Sequence, residues 1–183
     1  MAVAGAAMHR GNAAVAIEMA ERALEGIAAI GGRAFEPMVV LSLAYAQQGR
    51  LDDALSTIES VPESGADHPF THAVSALIHS SLGSADAATA HASAVTRAPG
   101  ATYLDQVFAY VAAAGAEAQL GDASAAELTA QAAVARAIAV GDVIAIAIAT
   151  TTYHAITGLT HPAFDERTQL GDGWLHLVRR VVS

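Results

Sequence analysis

The chain has 183 residues, room for one domain and a small appendage, and is 54% hydrophobic but only 15% charged and 5% aromatic. Its net charge is −9, and its basic residues are all Arg, with Arg179-Arg180 the one adjacent pair, so the grouped cations that neutralise phosphate are missing and nucleic acid is excluded as an expected partner. With no Cys there is no disulfide framework, thiolate metal site or Cys nucleophile, which fits a reducing cytoplasm.

Alanine accounts for the excess of apolar over bulky residues: there are 46, a quarter of the chain. Ala has the best helix propensity and little bulk, so the composition predicts helices packed closely through small side chains. The opening MAVAGAAMHRGN has no charged n-region and too short an apolar run before His9 for a signal peptide. It reads as a short helix over Ala2–Arg10. From Asn12 to Ile30, Val15, Met19, Ala23, Ile27 and Ile30 recur at helical steps. Pro37–Gln48 carries Val40, Leu43, Ala44 and Gln47 on one face. Longer helices are predicted over Ala101–Leu120 and Asp122–Val140, with breaks at Gly31-Gly32, Pro62 to Pro69, Pro99-Gly100 and Gly141. The β-branched run Val143–Tyr153 would suit a strand, yet Ile144 and Ile148 share a helical face and a lone strand has nothing to pair with, so helix is predicted. No Asp, Glu or Arg occurs from Val143 to Phe164, but the apolar part stops at Ala149, short of the ~20 residues that cross a bilayer, and a soluble protein is expected.

A glycine closes one helical segment and precedes the next at Gly11, Gly49, Gly83, Gly121 and Gly158, a place for a left-handed residue. Asn12, Ser84 and Asp122 then read as N-caps, with Asp52 and Asp142 as two more. Setting these glycines at the turn between two helices places Leu41, Ser42, Tyr45, Ala54 and Ile58 at the packing positions around Gly49. The corresponding sets are Ser75, Ala76, His79, Ala88 and Ala92 around Gly83, and Ala113, Ala114, Glu117, Ala126 and Ala130 around Gly121. On these residues, and on LAYAQQGRLDDAL over 43–55, the chain resembles the tetratricopeptide repeat family across residues 2–158. The resemblance implies an all-α, right-handed superhelical solenoid of about four helix pairs, each burying its apolar face against its neighbours. Residues 1–158 are assigned to the repeats, the first incomplete, and 159–183 to a C-terminal cap. That cap is read as a short helix, a Gly-Asp-Gly turn, and an amphipathic helix with Trp174, Leu177, Val178 and Val181 on its apolar stripe. The half-repeat at the start suggests the C-terminal part of a longer protein.

The candidate chemistry is sparse. His72 and His79 are seven residues apart and share a helical face, and His91 on the next helix can approach them. Convergence on one ion at about 2 Å would make a metal site. Because His72 and His79 occupy packing positions where the family has aromatics, packing is preferred and no metal or other cofactor is expected. Glu117 at its packing position could become a general acid if burial raised its pKa, but no partner carboxylate or nucleophile is placed beside it. No G-x-S-x-G elbow occurs, and Gly171-Asp172-Gly173 is too short for a phosphate loop. No enzyme is read from this sequence.

Family members that hold a partner's C-terminal carboxylate place Lys, Arg and Asn along the concave face. The matching positions here are Val39, Leu43, Phe70, Ala73, Leu77, Phe108 and Val111, so that clamp is absent. An apolar groove suits an amphipathic helix, a missing upstream segment or a second copy of the chain, unless longer helices bury these residues within the solenoid. The pattern over Gly121–Ala137 and Gly141-Asp142 resembles the degenerate repeats that end large actinobacterial signalling ATPases and cyclase-linked regulators, which implies a non-catalytic regulatory arm working by protein–protein interaction. A small-ligand or metal sensor using the groove and the histidines is the other class of function considered.

Overall fold

In the computed structural model, residues 2–31, 34–165 and 170–183 are described, and among them every regular element is a helix. The row begins with α1 (Ala2–His9), α2 (Ala13–Ala29), α3 (Phe35–Gln47), α4 (Leu51–Glu59) and the single turn α5 (Glu63–Ala66). It continues with α6 (Pro69–Ser81), α7 (Ala85–Arg97), α8 (Tyr103–Gln119), α9 (Ala123–Val140), α10 (Val143–Thr157) and α11 (Asp172–Val181). The β-branched run is helical as predicted, and α5 fills the break placed between Pro62 and Pro69. Gly32 and residues 166–169, part of the stretch where a short helix is expected after Gly158, fall outside the described residues. Residues 159–165, which are described, are not helical.

The turn glycines set the spacing of the hairpins. Gly11, Gly49, Gly83, Gly121 and Gly158 all have left-handed backbones, with φ between 72° and 81°. At the first four, the residue after the glycine donates its N–H to a carbonyl five positions back, as Arg50 does to Tyr45 at 2.9 Å. Each glycine donates to the carbonyl three back, so orphan carbonyls at the helix end are satisfied in the same way four times. The next helix starts at once. Asn12 caps α2 through Val15 N–H, Asp122 caps α9 through Ala125 N–H, and Asp142 caps α10 through Ile144 and Ala145 N–H. Two expected caps differ. Ser84 holds the cap position of α7 without a side-chain bond, and Arg50 precedes α4, leaving Asp52 in its first turn.

Consecutive helices pack as hairpins, and α1, α3, α6, α8 and α10 also touch in succession, forming one row with α2, α4, α7 and α9 behind it. Small residues permit the close approach: Ala44, Ala46, Ala54, Ala73, Ala76, Ala112, Ala114, Ala130 and Ala133 have no exposed surface. One continuous apolar cluster runs from Ala4 to Val181. The segment expected to cap the end of the row does something else. The helix α11 lies across it, touching α3, α6, α8 and α10. A single stripe decides this, because Trp174, Leu177, Val178 and Val181 need a broad apolar surface and the end helix α10 supplies only part of one.

Candidate functional site

The face formed by α3, α6 and α8 carries the predicted groove. Val39, Leu43, Ala73, Leu77, Phe108 and Val111 are all essentially buried, and Phe70 is half-buried. The residues do belong to one apolar core, but the face they occupy is not an open groove, because the three helices that bear them hold α11. The Trp174 ring, 1% exposed, meets Phe108 with centroids 5.1 Å apart, and its Nε1 donates to the His9 carbonyl at 2.8 Å. At the other end of α11 the Val181 carbonyl accepts from Ser80 Oγ at 3.1 Å and from Gln119 Nε2 at 3.0 Å. The sequence reading missed Ser80 and Gln119, for polar residues in Ala-rich helices give no signal of a partner 101 and 62 residues away.

Gly115 and Gly11 are among the glycines that let α11 come this close. A Cβ on Gly115 would run into the Val181 carbonyl and side chain and lie 2.8 Å from Ser80 Oγ. A Cβ on Gly11 would lie 3.0 Å from the Trp174 ring and 3.1 Å from Gly171. Gly115 therefore excludes any side chain while α11 is seated, and at Gly11 a side chain would need the left-handed backbone, φ 75°, and a small retreat of Trp174 and Gly171.

A second cluster joins the start of the row to its far end. Asp142 accepts from the Tyr103 hydroxyl at 2.6 Å and pairs with His9 Nε2 at 3.3 Å while it caps α10. Burial alone would raise the Asp142 carboxyl, but the Tyr103 hydroxyl, the Ala145 N–H and His9 together hold it below its ordinary value. The same hydrogen bond, reinforced by burial, pushes Tyr103 up to about 12.

The three histidines do meet. His72 Nδ1 and His91 Nδ1 are 3.0 Å apart, and His79 stacks on His91 with centroids 5.4 Å apart and planes 8° from parallel. Stacked rings put their in-plane lone pairs side by side and do not converge them on one point, and among the described residues no group of three His, Cys, Asp or Glu is arranged to hold a metal ion. Desolvation, followed by the nearby His72 and His79, lowers His91 to about 4. Glu117 is half-buried, with Oε2 enclosed and without a hydrogen-bond partner among the described residues.

A cavity of about 460 Å³ opens between α10 and α11, beside the groove face and apart from the histidine stack. No sequence pattern marked it. The one available signal was the change of texture after Gly158, where Phe164 is left 39% exposed. Among the described residues no helix is long and apolar enough to cross a membrane. Comparison with protein-family models, with curated proteins and with solved structures gives no match for this chain.

Proposed function

We propose that the chain is a tetratricopeptide-like, right-handed superhelical module that works by protein–protein interaction without catalysis, as a cytoplasmic regulatory arm of a signalling protein. The observation that carries this reading is α11. An amphipathic helix lies across the row formed by α3, α6, α8 and α10, with its one tryptophan buried against Phe108. A face built to take its own helix can take a partner's helix of the same pattern. In this reading α11 is a resident occupant, and a partner helix gains the face by displacing it.

The test adds a labelled peptide with the sequence of residues 170–183 to the full chain and to its Leu177→Asp variant. Leu177 has no exposed surface, so an Asp there unseats α11. The expected result is peptide capture by the variant and not by the wild type, with α1–α10 still helical by circular dichroism. The emission of Trp174, the chain's only tryptophan, should shift to the red as α11 leaves. General loss of helicity in Leu177→Asp would refute the reading and make α11 an inseparable part of the core.

A further inference from the structure

We propose that the cavity between α10 and α11 is a binding site for a small arylalkylamine, a ring carrying an ammonium group on a short aliphatic arm. At about 460 Å³ it lies in the range of pockets that enclose small organic ligands. Its walls are mainly apolar, and they include Phe164, an aromatic side chain left 39% exposed although most other rings are covered. A flat ring laid against Phe164 would remove that surface from water.

The polar groups define the rest of the ligand. Among the described residues of the lining Asp172 is the one acid and none is Arg, and no ion pair is formed by its carboxylate among them. A cationic nitrogen is its natural complement, since an ionised acceptor makes its strongest hydrogen bonds with charged donors. The two histidines of the lining have different roles. His154 Nδ1 lies 3.3 Å from the Leu159 carbonyl, which can only accept, so Nδ1 carries the proton and a neutral ring presents Nε2 as an acceptor. His161 Nδ1 accepts from the Ala163 N–H at 3.1 Å, which leaves its proton on Nε2 as a donor. Tyr153 packs edge-on against the His161 ring at 5.4 Å and fixes its plane. The lining thus offers an anion, an acceptor, a donor and an uncovered ring. An aromatic ring bearing a hydroxyl, and an ammonium group on a short aliphatic arm, satisfies all four.

Asp172 stands on α11, so a ligand held between it and α10 would fasten the helix in place. This consequence rests on the reading of α11 as displaceable; the binding site does not.

The probe is tyramine, titrated by calorimetry into the full chain at about pH 8. Its charge-reversed analogue, 4-hydroxyphenylacetate, is titrated in parallel. Tyramine should bind saturably at one site with a Kd of about 1 mM or tighter, as a ligand of this size allows. The anionic analogue should bind at least about tenfold more weakly. Asp172→Asn and Phe164→Ala should each weaken tyramine by about tenfold, and Asp86→Asn, an exposed acid in the first turn of α7, should leave it unchanged. Absence of saturable binding, equal binding of the two analogues, or binding indifferent to both cavity variants would overturn the site. The fastening is tested separately, by peptide capture in Leu177→Asp with and without tyramine. Increased capture supports it, because the seated peptide brings its own Asp172 and Leu175 to the cavity, and unchanged capture in the presence of confirmed binding overturns the fastening alone. Should the peptide never be captured, the reading of α11 fails while the calorimetric result stands.

Discussion

Acid should loosen the α6–α7 hairpin through His91. Its Nδ1 and that of His72 are 3.0 Å apart and hold one proton between them, and His79 stacks on its other side. Among the described residues the acid that reaches this group is Asp67, exposed and 4.0 Å from His72 Nε2. A second proton therefore enters against both desolvation and like charge, which lowers His91 from 6.5 to about 4. Since the folded state resists protonation and the unfolded chain does not, the contribution is complete above pH 6.5 and is lost progressively as the pH falls toward about 4. The full shift would correspond to about 3 kcal/mol, and solvent reaching the half-buried ring reduces the expected loss to about 1–2 kcal/mol. Replacing His91 by Phe keeps a ring on the stack and removes the titration. Urea unfolding of both proteins from about pH 8 to about pH 4 should show the wild type losing about 1–2 kcal/mol more than the variant. Parallel pH profiles would refute the argument, whatever the stability of either protein at neutral pH.

Other perturbations probe the contacts that seat the last helix and bind the ends of the row. Trp174→Ala, which empties a fully buried site, should cost about 3–5 kcal/mol in denaturant titration. Trp174→Phe, which loses the bond to His9 but keeps most of the ring, should cost clearly less. Gly115→Ala inserts a methyl group into the Val181 carbonyl and should lower the melting temperature, even though Ala is the better helix former. Asp142→Ala removes a helix cap together with the acceptor of Tyr103, so stability should fall by about 1–2 kcal/mol. In that variant Tyr103 should return from about 12 toward its ordinary 10.0 in an ultraviolet titration of the phenols.

The local features were legible because they depend on few residues. A glycine followed by a polar residue closes a helix in the same way at Gly11, Gly49, Gly83 and Gly121, and the helical state of Val143–Tyr153 follows from what surrounds it. Capping was less legible, for a lone Ser or Asp does not reveal whether its oxygen reaches an N–H, and Ser84 and Asp52 do not cap as expected. The course of α11 was not legible at all. Its stripe of Trp174, Leu177, Val178 and Val181 announces that one face is covered, but amphipathicity carries no address. Val39, Leu43, Leu77 and Phe108 likewise read as apolar whether they await a partner or already have one. The cluster of His9, Tyr103 and Asp142 depends on how three distant segments meet, and nothing in the spacing of those residues encodes it.

The ties made by α11 affect the order in which the fold can be completed. Hairpins that touch only their neighbours can form one after another as the chain leaves the ribosome. Trp174, however, bonds to a carbonyl 165 residues upstream, and Val181 to a hydroxyl 101 residues upstream. The helix that covers the α3–α6–α8 face is synthesised after every element it touches. Until it arrives, that face has no cover from within the chain, so a fast, local assembly of hairpins should be followed by a slower closing step that is limited by long-range contact. A nascent chain stalled before Trp174 would hold that surface open, and it is at this stage that a chaperone or a partner helix has its best opportunity to engage.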